Sequence, residues 1–232
     1  QLASVAAGGV LRDLAERTPT PTLSAVVRFG DTDRGRAEGA ASLALRQGDP
    51  AGIGFYLDHQ RVHVGADEAA ADAAYRAWLR DLAGGREALL LAPTNELVAT
   101  LNGRARLDRL RTTEEASAEV RLADDLLASA GDTITTRTNA RWLRTADGTW
   151  VRNGNRWRIT DVAPDGSVLA VGLREPATAA PVRLPADYVA KHTTLGYAAT
   201  VNGAQGVTAD TCHVVGSDRL TRRQLYVALT RG

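Results

Sequence analysis

Residues 87–110, EALLLAPTNELVATLNGRARLDRL, decide how the chain folds. Ala88, Leu89, Leu90 and Leu91 are four apolar residues in a row, the pattern of a strand buried on both faces, which is typical of a parallel sheet. Pro93, Thr94 and Asn95 form a polar turn, and from about Glu96 to Leu110 the pattern predicts a helix with Leu97, Leu101 and Leu107 among its apolar positions. A strand, a short turn and a helix make half of a βαβ unit, so the expected class is α/β, a parallel sheet flanked by helices.

The same grammar extends upstream. Residues 23–27 (LSAVV) read as a strand and residues 33–47 as a helix closed by Gly48, Asp49 and Pro50. Residues 62–64 read as a short strand, and residues 67–82 as a helix with Asp67 as N-cap and Gly84-Gly85 as its stop. Downstream, residues 114–127 are charged and read as a further amphipathic helix. The grammar changes at Gly131. Short β-prone segments at 133–136, 157–162, 168–171 and 182–184 are separated by the turn dipeptides Asp147-Gly148, Asn153-Gly154 and Asp165-Gly166. Residues 131–185 are therefore expected to be a small β-barrel inserted between a first α/β part, 1–130, and a second, 186–232. The second part should contain a helix near 186–191, strands at 197–201 and 212–215, and a helix over 221–230.

The chain has 232 residues, 44% of them hydrophobic, enough for a substantial core. It begins at Gln1 and has no Met, so it is expected to be a piece of a longer protein. Its 28 basic and 27 acidic residues leave a net charge of +1, which excludes a globally electrostatic nucleic-acid binder and makes any DNA-binding surface local. Cys212 is the one cysteine, so no internal disulfide can form, a cysteine zinc site is not expected, and the thiol reads as a small buried group. His59 and His63 span a turn-to-strand junction with no acidic triad, and His192 and His213 are isolated, so no metal site is expected. No apolar run approaches the roughly 20 residues of a membrane helix, and a cytoplasmic setting is the expectation.

Three stretches carry chemistry. Residues 200–210, TVNGAQGVTAD, leave a strand through a turn containing Gly203 and Gly206; its backbone N–H groups can approach a phosphate, while Thr200, Asn202, Gln205 and Thr208 offer neutral hydrogen bonds. A plain polar loop at a sheet edge has the same composition. Arg231 ends an apolar helical run, where it can either reach a phosphate or neutralise the helix C-terminus. Residues 131–160 hold six arginines against Asp132 and Asp147, a local net of +4, together with Trp142, Trp150 and Trp157. Basic groups interleaved with aromatics suit a single strand of nucleic acid, with Trp142, Trp150, Arg152 and Arg156 as candidate contacts. Trp157, in an alternating strand, is expected in the core.

With those residues in place, the chain resembles the second RecA-like domain (P-loop NTPase type) of a superfamily 1 DNA helicase of the RecD-like branch, and within it the helicase half of conjugative relaxases of the TraA/TrwC (MobF) type. Residues 197–213, YAATVNGAQGVTADTCH, resemble helicase motif V, and residues 224–232, QLYVALTRG, resemble motif VI. Gln1-Leu2 with Ala7-Gly8-Gly9 is similar to the tail of motif III, and Arg28 is placed like the motif IV arginine. The insert looks like the SH3-like barrel of these helicases. The resemblance implies a motor that holds ATP and Mg²⁺ between two RecA-like domains with single-stranded DNA across both. In it Gln1 would sense the γ-phosphate, Arg28 and Arg231 would bind it, and Thr200, Gln205 and Gly206 would couple nucleotide state to DNA. Asn202 stands where the family commonly has His, and Gly203 where a basic residue is frequent. No GxxxxGK[ST] loop and no strand ending in paired acids occur in this sequence. The resemblance thus implies that the first RecA-like domain, and any relaxase domain, would lie upstream, and that this part alone would not hydrolyse ATP. The other readings of the residues are a RecD-like repair or recombination helicase and a stand-alone ssDNA-binding module.

Overall fold

A computed structural model describes residues 17–19, 29–113, 117–145, 148–176 and 178–232. Gln1, Arg28, the motif III-like residues and the strand expected at 23–27 lie outside the described residues. In chain order the elements are α1 (Asp33–Gln47), α2 (Ala51–Asp58), α3 (Asp67–Ala83), β1 (Ala88–Ala92), α4 (Asn95–Arg111), β2 (Glu119–Arg121), β3 (Leu127–Ser129) and β4 (Thr133–Thr136). There follow β5 (Ala140–Arg144), β6 (Trp150–Val151), β7 (Arg156–Val162), β8 (Val168–Gly172), β9 (Val182–Leu184), α5 (Ala186–His192), β10 (Thr193–Leu195), β11 (Ala198–Thr200), β12 (Thr211–Val214) and α6 (Arg222–Leu229). They fall into two compact units, residues 1–88 with 205–232, and residues 89–204.

In the first unit, α1 starts where the Thr32 side chain accepts a hydrogen bond from Gly35 N at 3.0 Å. It stops at Gly48, whose φ of 93° is left-handed backbone that a residue with a Cβ rarely adopts. Ala41, Leu45 and Tyr56 bury the face between α1 and α2, with Phe55 and Leu229 against them. Helix α3 buries Ala71, Tyr75 and Trp78, and the Trp78 indole donates to Ala88 O at 3.2 Å. Its N-cap is Ala66 rather than Asp67, which instead joins Glu68 in the first turn, where carboxylates favour the helix dipole. The strand expected at 62–64 does not form, and Val64 is almost fully exposed. Helix α2, unforeseen, occupies a run whose two glycines and Pro50 disguise its period.

In the second unit, β1 is buried along its whole length and pairs in parallel with β11, in the register Leu90↔Ala198, Leu91↔Ala199 and Ala92↔Thr200. Thr94 caps α4 by accepting from Leu97 N at 3.2 Å. The buried face of α4 carries Leu101, Asn102 and Ala105, while Leu107 is 57% exposed. At 100° per residue, Leu107 has turned well away from the line through Leu101 and Ala105. Residues 117–127 are not helical as expected. They form β2, which pairs antiparallel with β3 and buries Val120 between two exposed neighbours, a period of two.

The remaining strands form an antiparallel sheet in the order β10-β4-β7-β8-β9, with β5 and β6 as a separate two-stranded hairpin. The sheet is open, with β10 and β9 at its edges. Ile134, Val151, Trp157, Ile159, Val168, Leu184 and Val189 fill one core with buried residues of β5 and α5. The sheet takes its β10 edge strand from residues beyond 185, next to β4 through Thr193↔Thr136.

Asp132, at the entrance to β4, has no exposed surface. Its carboxylate accepts from Arg109 Nε at 2.8 Å, Arg106 Nε at 3.2 Å, Ser129 N at 2.8 Å and the Tyr197 hydroxyl at 2.6 Å. Arg106 also pairs with Glu119, and Arg109 donates to Ala130 O and Ser129 Oγ. Burial raises the Tyr197 phenol, and its bond to Asp132 raises it further, so it remains a donor throughout the physiological range. Burial opposes the charge of Arg109, but Asp132 outweighs it and lifts the guanidinium above its ordinary value. Removing one partner from a buried pair leaves uncompensated charge. Asp132→Ala is expected to lower stability by about 3 kcal/mol, read as a fall in the urea midpoint; an unchanged midpoint contradicts this account.

Candidate functional site

In the first unit the site is built on α6. Thr221 and Gln224 form a capping box at its start, and Val227 and Ala228 are buried. Arg231, just past its end, donates from Nε to Val227 O at 3.0 Å and from Nη1 to Val207 O at 3.1 Å. Its carbonyl accepts from Ala209 N at 3.0 Å. The guanidinium therefore satisfies a carbonyl of the last helical turn, as a C-terminal cation does. It also ties that turn to the segment after Gly206. Gly206 has φ 85°, with open space where a Cβ would point. Gln205 and Thr208 are exposed on either side. This is an accessible backbone turn beside a cation.

Cys212 lies on the adjoining strand. Burial pushes its thiol up to about 12, against the opposing charge of Arg231. A Cβ on Gly232 would come within 2.6 Å of Cys212 N, so the last residue packs directly on that strand. His213 Nε2 sits 2.8 Å from Asp81 Oδ2, and Arg86 pairs with the other oxygen at 3.0 Å. Burial pushes the Asp81 carboxyl up, but hydrogen bonding, including that of His213, and the charges of His213 and Arg86 hold it below the usual range.

In the second unit, β11 ends in the turn that begins with Thr200. Thr200 Oγ1 accepts from Gly203 N at 3.1 Å, and Thr200 O accepts from Ala204 N at 3.0 Å. Val201 and Ala204 point inward and Asn202 outward. Thr200 is thus the turn's internal brace, and Asn202 is its exposed polar group. The start of β11 is held by Asn102, a buried residue that sequence reasoning missed because an amide on a helix reads as solvent-facing. Its Nδ2 donates to Leu195 O at 3.1 Å, and its Oδ1 accepts from Ala198 N at 2.8 Å.

Trp142 and Trp150 lie on the β5–β6 hairpin, and Arg152 follows directly on β6. Trp142 is 65% exposed, with its edge toward Tyr188 at 6.1 Å between centroids. The half-buried Trp150 ring has the guanidinium of Arg152 at 5.0 Å and that of Arg141 at 5.4 Å. Arg156 is placed differently, at the start of β7, where its Nε donates to Gly196 O at 3.1 Å. Trp157 is in the core. Among the described residues no group of His, Cys, Asp and Glu could hold a metal ion, and no helix is long and apolar enough to cross a membrane.

Residues 1–67 match a protein family described as an AAA domain. Two uncharacterised proteins of Mycobacterium tuberculosis, MT2373 of strain CDC 1551 / Oshkosh and Rv2311 of strain ATCC 25618 / H37Rv, are each 42% identical over 80 residues, 34% of this chain and 45% of theirs. The Pif1 helicase from Bacteroides, solved in complex with ADP-AlF3 and ssDNA, superposes with a TM-score of 0.56 at 16% identity, covering 90% of this chain and 48% of that one. The Pif1 helicase from Candida albicans gives 0.55 at 17% identity, covering 89% and 52%. The chain therefore spans about half the length of the proteins it resembles. At 16% and 17% identity, the likeness to these two helicases is one of fold.

Two outcomes test this geometry. A thiol held near 12 is almost wholly protonated at pH 8, so Cys212 should react with iodoacetamide on the order of a thousandfold more slowly in the folded chain than in urea. Equal rates would show the thiol to be accessible. Because Asp81 is held below its unfolded value, its stabilisation is present above about pH 4 and is lost as pH falls through the folded value. Asp81→Asn should flatten the acid limb of the denaturation midpoint plotted against pH; a parallel curve would assign that limb to other groups.

Proposed function

We propose that this chain is the second RecA-like motor domain of an ATP-dependent DNA helicase of the RecD-like branch, moving 5′ to 3′, from the helicase region of a MobF-type conjugative relaxase. The observation that carries the reading is the helicase-type fold across nine-tenths of the chain, in which the motif V-like stretch leaves a parallel strand and the motif VI-like stretch is the last helix. The Bacteroides relative was solved with ADP-AlF3 and ssDNA, ligands of the two kinds this reading requires.

In this reading Gln1, Arg28 and Arg231 face the γ-phosphate, and Thr200, Asn202, Gln205, Gly206 and Thr208 couple nucleotide to DNA. The exposed, left-handed Gly206 beside Arg231 fits an anionic oxygen, which would take the guanidinium from Val207 O. When bound, ATP supplies the transferable phosphoryl group. The Mg²⁺ ligands belong to the first RecA-like domain of the parent protein, as does the phosphate-binding loop. The inserted sheet serves as the SH3-like module, and Trp142, Trp150 and Arg152 offer a stacking platform to single-stranded DNA. A relaxase domain upstream and a cytoplasmic setting complete the proposal.

The test is ATP hydrolysis by this chain alone and by the parent protein. The chain alone should show no turnover, and Arg231→Ala in the parent should lower kcat by about a thousandfold or more while leaving ssDNA binding in place. Stoichiometric turnover by the isolated chain would sink the half-motor reading. The exposed hairpin also supports a second reading, a stand-alone ssDNA-binding module. That version requires tight, salt-sensitive binding by the chain alone, abolished by Trp142→Ala, with no ATPase in the parent.

A further inference from the structure

Residues 195–198 connect the antiparallel sheet to β11, and every one of them is hydrogen-bonded within the second unit. Leu195 pairs with Ile134 on β4, and its carbonyl accepts from Asn102 on α4. Gly196 N donates to Thr133 O at 2.8 Å, and Gly196 O accepts from Arg156 Nε at 3.1 Å. A Cβ at Gly196 would stand 2.5 Å from Thr135 Oγ1 and 2.8 Å from the Ile134 backbone, so only glycine lets the connection lie this close to β4. Tyr197 donates to the buried Asp132, and Ala198 N donates to Asn102 Oδ1. Two residues later, Thr200 braces the turn through Gly203 N and Ala204 N.

A connection tied at each residue has no slack, whereas an ordinary loop absorbs displacement at its ends. The β5–β6 hairpin packs Ala140, Leu143 and Val151 into the same core as Ile134 and Leu195. A shift of that core is therefore delivered to Ala198 and onward to the Thr200 turn. We propose that residues 195–198 form a rigid link between the inserted sheet and the Thr200 turn, with Tyr197 and Asn102 as positioning residues, so that a single strand held by the hairpin stiffens the turn. The link rests on the reading of the hairpin as a nucleic-acid contact. Arg156 belongs to it as a strut to Gly196.

Hydrogen exchange at the Gly203 and Ala204 amides of the full chain reads the effect directly, with and without a saturating dT oligonucleotide of about 15 nucleotides. The oligonucleotide should slow both amides about tenfold, a coupling of about 1.4 kcal/mol. Tyr197→Phe removes one hydroxyl and nothing that touches DNA. It should keep oligonucleotide affinity within about twofold and abolish the slowing. Arg183→Ala, which breaks an exposed pair with Asp165 on the far edge of the sheet, should leave the slowing intact. A purely structural Tyr197 would speed exchange equally with and without oligonucleotide, and that result overturns the link, as does loss of the slowing in Arg183→Ala. Absence of oligonucleotide binding by the wild-type chain overturns the hairpin reading itself and the link with it. Binding without any slowing overturns the link alone.

Discussion

A single buried carboxylate, Asp132, organises the larger part of this structure. It receives two guanidiniums from α4, a main-chain amide from Ser129 and a phenol from the residue before β11. A charge without solvent contact is tolerated only when it is fully paired and hydrogen-bonded, so those donors have to be present together. The requirement fixes where α4 lies against the antiparallel sheet and where that sheet hands the chain back to the parallel pair. These bonds tie both relations to named donors in addition to the apolar packing around them.

Much of this was legible in the chain because it is written locally. The apolar run 88–91, the polar turn at 93–95 and the helix that follows it are all written in neighbouring residues. So is the last helix, expected over 221–230 and found at Arg222–Leu229. The Asn153-Gly154 and Asp165-Gly166 turns likewise announce the antiparallel strands on both sides of them. The site was legible to a lesser degree. Of the residues singled out by charge and aromaticity, Trp142 and Arg152 are exposed and Trp150 is half-buried, whereas Arg156 holds Gly196.

What escaped the sequence depends on partners far along the chain. Asp132 follows a glycine and reads as a turn residue; its meaning comes from Arg109 and Tyr197, 23 and 65 residues away. Asn102 reads as the polar face of a helix, yet it supplies both a donor and an acceptor to backbone 93 and 96 residues downstream. Residues 117–127 are rich in helix-favouring Ala, Leu and Glu. They nevertheless form a hairpin because burying Val120 and Ala128 outweighs a few tenths of a kcal/mol of propensity per residue. Val64 shows the converse, a β-branched residue with no sheet edge to join.

The bonds of Arg231 to two main-chain carbonyls have a consequence for what can recruit it. A guanidinium in water is drawn toward any passing anion, but one already engaged by Val227 and Val207 exchanges partners only for a ligand that binds it more strongly. Charge-assisted, two-pronged bonds of the kind a phosphate offers a guanidinium are stronger than its bonds to neutral carbonyls. Release of the Val207 carbonyl would at the same moment free the segment after Gly206, so arrival of charge at one side chain becomes slack in a stretch of backbone. Under the proposed function the arginine would thereby act as a latch that responds to ligand charge before any shape is sensed.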